Sequence, residues 1–370
     1  MKIDKIVLRK MKMALKTPFT TSFATQTEKH FTIAEVHAGS VIGYGDCSAI
    51  SLPFYNEETN VTAWHIMRDF LIPMVKQAGT ITHPSEVREI FMPVKRNNCA
   101  KAAIEGGIWD AFAKQQGIPL HQAIGGTRDR VEAGVSIGIQ SSPQKLVEVV
   151  AGYLDEGYRR IKIKIKPGKD IDYIEALRST FGDITLMADA NSAYSLDDID
   201  FFKRLDRFNL LMIEEPLAHD DIVNHRKLQA AIATPICLDE SIASVEDARK
   251  AIELGSARII NIKVARVGGI TETKLIHGYC QAHQIPEWCG GMLDTAVGKA
   301  HNIAVAMLPN FVYAHDIPPS SRYWHEDFML PLVEMDADSC VAVPNAPRIG
   351  FDINPTLYQR YCYDEETFQF

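Results

Sequence analysis

The chain has 370 residues, 46% hydrophobic and 23% charged, with a formal net charge of −8. That is the composition of a soluble globular protein long enough to bury a large core unaided, and its acidic balance without a basic tract excludes nucleic acid as an expected partner. Seven scattered cysteines without a CxxC pair argue against a disulfide framework or a zinc cluster, and no apolar run reaches the roughly 20 residues of a membrane span, so a reducing, cytoplasmic setting without a membrane partner is expected.

In chain order, the first part shows strands and then helices. "KIVLRKMKM" (5–13) alternates as a strand, and "FTIAEVHAGSVIGYGDCSA" (31–49) reads as a hairpin-like pair. Helical stretches follow at 57–77, 84–96 and 99–117. Such segregation predicts an α+β unit, ending near "GGTRDR" (125–130). Beyond it strands and helices alternate. Strand candidates lie at 133–138, 160–166, 184–189, 210–215, 235–240, 258–263, 286–290 and 311–316. Their alternation with helices implies a parallel sheet, and their number a TIM-like barrel. The eighth candidate lacks a following helix, and the tail is expected to return to the first domain. The predicted division is residues 1–125 as an α+β capping domain, 126–320 as the barrel, and 321–370 as the returning segment.

Polar residues end these apolar strands at a regular interval. Lys164, Asp189, Glu214, Asp239 and Lys263 are 25, 25, 25 and 24 residues apart, at the carboxyl ends of the second to sixth strands. Barrel active sites are assembled at that end. Asp189, Glu214 and Asp239 would converge as hard oxygen ligands suited to Mg²⁺ or a similar divalent ion such as Mn²⁺. The second and sixth strands of an eight-stranded barrel face each other, so Lys164 and Lys263 would flank whatever the ion holds. A carboxylate held there has an acidified α-proton, which a neutral lysine can remove. In "RIKIKIKPG" (160–168), Lys162 shares the face of Lys164 and is expected to favour its neutral form, while Lys166 lies beyond the mouth in solvent.

The segments "TPFTTSFAT" (17–25), "AAIEGGIWDAFAKQQGIPLHQAIGG" (102–126), "RIKIKIKPG", "ADANSAY" (188–194), "MIEEPL" (212–217), "TPICLDES" (234–241), "NIKVARVGG" (261–269) and "WCGGM" (288–292) together resemble the enolase superfamily. The resemblance is to its muconate-lactonizing branch, and within that to o-succinylbenzoate synthases and N-succinylamino acid racemases. It implies an α/β fold, a (β/α)7β barrel with an α+β cap completed by the C-terminal tail, which accounts for the missing eighth helix. It also implies Asp189, Glu214 and Asp239 as Mg²⁺ ligands, Lys164 and Lys263 as the acid/base pair with Lys162 beside them, and Asn191 and Glu240 orienting the ligands. Arg266, Ser136, Gly290, Gly291, Met292, Phe19, Phe23 and Tyr55 become candidate substrate contacts, the glycines by letting backbone N–H groups approach a carboxylate.

Pro318, Pro319, Asp294 and Glu287 depart from the family pattern and are expected to bear on the pocket. His277 and His283 are six apart, off the spacing of a zinc face, and the pair His315–Asp316, ending the eighth strand, reads as loop entry in preference to a substrate contact. The preferred activity is Mg²⁺-dependent dehydration of a cyclohexadiene carboxylate to o-succinylbenzoate, a menaquinone step. The alternative is racemisation of N-succinyl or other N-acyl amino acids, and one pocket could serve both. A non-catalytic, metal-dependent binding barrel is a third reading, disfavoured by the lysine pair. The partner expected is a small carboxylate substrate, and the protein is expected to be a homo-oligomer.

Overall fold

The computed structural model describes residues 1–22 and 24–370. The chain opens with three antiparallel strands, β1 (Lys5–Thr20), β2 (Thr25–Ala38) and β3 (Val41–Cys47). Period-two patterning sets their faces: on β1, Met11, Met13 and Leu15 are buried while Lys12, Ala14 and Lys16 are exposed. Helices α1 (Asn60–Ile66) and α2 (Ile72–Ala78) are one continuous rod. Its register widens to a π turn over Met67–Leu71, just ahead of Pro73, which has no N–H to donate. A short α3 (Glu86–Phe91) precedes the long α4 (Asn98–Gln116), whose apolar residues are buried along almost its whole length. It packs on β3 so closely that a Cβ on Gly45 would lie 1.8 Å from the Ala103 carbonyl oxygen; glycine is required there by contact, not by φ.

After α5 (Leu120–Ile124) and a two-residue strand β4 (Val131–Glu132), the barrel begins. Its seven parallel strands are β5 (Val135–Ile137), β6 (Arg160–Lys164), β7 (Thr185–Asp189), β8 (Ile213–Glu214), β9 (Ile236–Leu238), β10 (Ile259–Ile262) and β11 (Glu287–Cys289), hydrogen-bonded in sequential order. The helices that follow them in turn are α6 (Pro143–Asp155), α7 (Ile171–Phe181), α8 (Ile199–Leu205), α9 (Ile222–Ala231), α10 (Val245–Leu254), the short α11 (Val264–Val267) with α12 (Ile270–Ala282), and α13 (Ala296–Ala306). Several begin on a serine or aspartate whose side chain accepts a backbone N–H, as Ser142, Asp221 and Ser244 do.

The eighth stave is not a continuous strand, a correction to the one expected at 311–316. Phe311 bridges Glu287 and His315 bridges Ala133. The N–H groups of this segment alternate between neighbours: Val312 and Asp316 donate to the β11 side, His315 to Glu132. Splitting its bonds between two edges closes the barrel without a ladder on either side. The other strands are also shorter than their apolar runs suggest.

The tail then returns. Strand β12 (Met329–Leu330) pairs with β14 (Asp352–Ile353), and β13 (Cys340–Val341) pairs with β4. After α14 (Pro355–Tyr361), β15 (Cys362–Gln369) lies antiparallel to β1 and completes the first sheet. Glu105, fully buried on α4, accepts the N–H groups of Ile270 and Thr271 at the start of α12. That clamp fixes the first sheet and its helices against the barrel.

Candidate active site

Inward parity continues to the carboxyl ends of the strands, and there the lining becomes charged. Asp189, Glu214 and Asp239 are completely buried, on or directly after β7, β8 and β9. Lys162 and Lys164 come from β6 and Lys263 from the end of β10. Lys162 Nζ meets Glu214 Oε2 at 2.6 Å and both Asp189 Oδ2 and Asp316 Oδ2 at 3.0 Å. Lys164 Nζ donates to Asp189 Oδ2 at 2.5 Å and to Asn191 Oδ1 at 2.7 Å. Lys263 Nζ donates to Asp239 Oδ2 at 2.7 Å and to the Tyr55 hydroxyl at 2.9 Å.

The electrostatics follow from this packing. Burial alone would raise the Asp189 carboxyl, but Lys162 and Lys164 hold it well below the usual carboxylate range. Glu214 is pushed up by burial and by Asp189 beside it. Burial pulls the Lys162 ammonium down, and Asp189, Asp316 and Glu214 more than reverse this. Lys263 is likewise held high, burial being outweighed by Tyr55, Glu240 and Glu214. Burial pushes Glu240 up to about 7 against the pull of Lys263.

Among the described residues no group of three or more His, Cys, Asp or Glu side chains stands as a ready metal cage, because the carboxylates face amines. Their chemistry nonetheless fits a hard divalent cation: three carboxylates, all fully buried, on adjacent strand ends. Asn261 Nδ2 donates to Glu214 Oε1 at 2.8 Å, and the Asn191 N–H to Asp189 Oδ1 at 3.0 Å, so both acids are oriented from outside. Asn191 Nδ2 donates in turn to Glu240 Oε1 at 2.7 Å, while Glu240 Oε2 is buried without a hydrogen-bond partner among the described residues.

A cavity of about 70 Å³ lies over this ring, lined by Lys162, Lys164, Lys263 and Asn191 from the barrel and by Phe19, Thr21, Ile50 and Tyr55 from the cap. Ser136, Gly291, Met292 and Asp316 also line it. Tyr55 separates it from an outer chamber of about 560 Å³ that reaches Glu240 and Arg266. Phe23 lies outside the described residues. Arg266 is buried behind Asp239, with Nη1 against Asp239 Oδ1 and its other nitrogens on the Ile242 and Asn261 carbonyls. Gly290 and Met292 have their N–H groups engaged already, by Ile262 O and Asp294 Oδ2. A Cβ on Gly290 would meet Lys263 Cε at 2.8 Å, so this glycine makes room for the lysine stem.

Asp316, read from the sequence as loop entry with substrate contact as the alternative, joins the site. It takes Arg160 Nη1 at 2.8 Å on one oxygen and Lys162 on the other. Its inward parity at the end of the eighth stave was the available signal. His315 is structural: its Nδ1 accepts the Cys289 N–H, and burial holds its pKa down at about 3. Glu287 is remote from the mouth, at the opposite end of β11, bonded to His277 and Asn310.

Residues 3–125 match the mandelate racemase / muconate lactonizing enzyme N-terminal domain, and residues 145–357 the enolase C-terminal domain-like family. The chain belongs to the enolase superfamily. Among its relatives in this superfamily is an o-succinylbenzoate synthase of Geobacillus kaustophilus, 51% identical over 97% of this chain and 96% of the relative. An N-succinylamino acid racemase of Thermus thermophilus is 43% identical over 98% and 99%. A crystal structure of an enolase-superfamily member from Listeria innocua superposes with a TM-score of 0.96 at 41% identity, covering 100% of this chain and 99% of that one. The superfamily typically uses Mg²⁺, and no helix here is long and apolar enough to cross a membrane among the described residues.

Proposed function

We propose that the protein is an o-succinylbenzoate synthase that removes a proton α to a carboxylate. The observation that carries the chemistry is the pair Lys164 and Lys263, on the second and sixth strands, lining one cavity above three buried carboxylates. The relatives at about half identity that bear this name support the substrate.

In this reading Asp189, Glu214 and Asp239 hold Mg²⁺, or Mn²⁺ in its place, with Asn191 and Glu240 supporting the ligands. When bound, the ion supplies positive charge opposite the substrate carboxylate as the α-proton leaves. Lys164 Nζ, placed over the ring by Asp189 and Asn191, is the group that would accept the α-proton. The same Nζ then returns that proton to the departing hydroxyl; the C–O bond breaks, water leaves and the ring double bond forms. Lys263, still cationic and braced by Tyr55, balances the charge from the other side. Phe19 and Tyr55 exclude water, Ser136, Gly291 and Met292 contact the substrate, and Arg266 acts through Asp239.

Racemisation of N-succinylamino acids is the second reading, favoured by the same two lysines on opposite sides and by racemases among the relatives. There Lys164 and Lys263 each serve one enantiomer. Turnover on the cyclohexadiene substrate against N-succinyl amino acids decides between them; a much higher kcat/KM on the latter reverses the order. Both readings predict α-hydrogen exchange in D₂O with Mg²⁺, and its absence would leave only the non-catalytic barrel. We also read the protein as cytoplasmic and homo-oligomeric, the second checked by sedimentation, and divided at about residues 125 and 320.

A further inference from the structure

The loop that walls the cavity on its barrel side, residues 290–294, is held from the cap by one buried ammonium. Lys29 of β2 is 2% exposed, and its Nζ donates to the Leu293 carbonyl at 3.0 Å, the Met292 carbonyl at 3.1 Å and Ser48 Oγ at 3.4 Å. All three partners are neutral; an answering charge, Asp46, reaches Lys29 through Ser48 and holds Thr295 on its other oxygen at 3.1 Å. A buried cation spent on carbonyls is uncommon unless those carbonyls must be held. The loop has a reason to need holding. Leu293 sits at φ +55°, a left-handed conformation that a branched side chain rarely adopts, and its side chain forms part of the cavity wall. The rest of the fold grips the loop at its two ends, at Gly290, whose N–H donates to the Ile262 carbonyl at 3.0 Å, and at Asp294, which accepts from Asn302 at 2.9 Å and from Trp324 through its carbonyl; between them Met292 and Leu293 rest on Lys29.

The geometry points to Lys29 as a positioning residue that fixes Gly291, Met292 and Leu293 against the substrate and so sets substrate affinity. It touches neither the lysine pair nor the carboxylates, and its action is on the fit of the cavity. The inference rests on the reading of that cavity as the substrate site. It sharpens that reading: the cap shapes the pocket by a charge placed beneath the barrel's own loop.

The test is Lys29→Met, which keeps the length and removes the donors, beside Lys29→Gln and Lys29→Arg. Steady-state kinetics of o-succinylbenzoate formation should show KM raised about tenfold or more with kcat within about threefold for the first two, and partial recovery of KM in Lys29→Arg. Glu105→Gln is the control for cap–barrel stability, since it weakens the clamp on Ile270 and Thr271 and leaves both carbonyl bonds of Lys29 in place, and its KM should stay within about twofold of the parent. Hydrogen exchange of the 290–295 amides, read without any substrate, should quicken in Lys29→Met and not in Glu105→Gln. That second readout separates the two ideas: a parent inactive on every substrate sinks the functional reading, while unchanged exchange in Lys29→Met sinks this one. Unchanged KM in a folded Lys29→Met, a KM rise equally large in Glu105→Gln, or failure of all three Lys29 variants to fold would each overturn the positioning role.

Discussion

The inside of the barrel has two levels, and one step along each strand separates them. At the lower level Met187, Met212, Cys237, Ile259 and Trp288 pack as a separate apolar cluster. Two residues further on along β7, β8 and β9 come Asp189, Glu214 and Asp239, with the same inward parity. Lys162 and Arg160 stand over the Trp288 ring, 4.8 and 5.2 Å from its centroid, at the boundary. The lower level does what a core does: it excludes water and holds the strands together. The upper level packs three ammonium groups among four buried carboxylates, and the cost of taking those charges out of water makes the pairs a poor source of stability. The contrast teaches that the fold is carried by the plug and the chemistry by the ring. The plug also keeps the ring's surroundings at low dielectric, where each charge acts strongly on its neighbours.

The largest expected effect tests the ring. Asp189→Asn, Glu214→Gln or Asp239→Asn should each reduce turnover about 10³-fold or more with near-native circular dichroism, since the amide oxygens still accept from the lysines. A chelator should abolish turnover and Mg²⁺ restore it; full activity in chelator would remove the metal from the account. Next come the lysines. Lys164→Ala should cost about 10²–10⁴-fold and stop α-exchange from one enantiomer of an N-succinyl amino acid, and Lys263→Ala from the other, as read by NMR in D₂O. For the dehydration, Lys263→Arg should retain part of the activity, because there the residue acts through its charge. A smaller loss, about 10–100-fold, is expected for Asn191→Ala, which frees Lys164 and Glu240 together while the backbone N–H on Asp189 stays. Met212→Ala in the plug should do the reverse of all these, lowering stability by about 2–5 kcal/mol in denaturant melts with turnover within about threefold. Were it to abolish chemistry without destabilising, the two levels would not be separable. Last, Lys166→Ala should be silent within about twofold, because β6 ends at Lys164 and Lys166 lies partly exposed in the following turn.

Much of this was legible in the chain. Alternation within "RIKIKIKPG" puts Arg160, Lys162 and Lys164 on one face because strand geometry has period two whatever surrounds it. The near-constant 25-residue spacing places an acid at the end of successive strands because each βα unit has the same length. Those are local rules, and a sequence obeys them by itself. What depended on the third dimension were contacts between segments far apart in sequence. That Asp316 shares Lys162 with the ring required closure of the barrel by a stave that splits its hydrogen bonds between two edges. Gly290, which reads as an open donor in "WCGGM", proved to be space for a lysine stem with its N–H already engaged. Arg266 reads as a substrate contact, but its guanidinium is enclosed behind Asp239 by the carbonyls of Ile242, after β9, and Asn261, in β10. Lys29 looks like any strand lysine beside Glu28 and His30, and the docking of cap on barrel buries it beneath Met292 and Leu293. The period of a strand says which way a side chain points; only the packed fold says what it meets there, because burial and partner are properties of the neighbours and not of the residue.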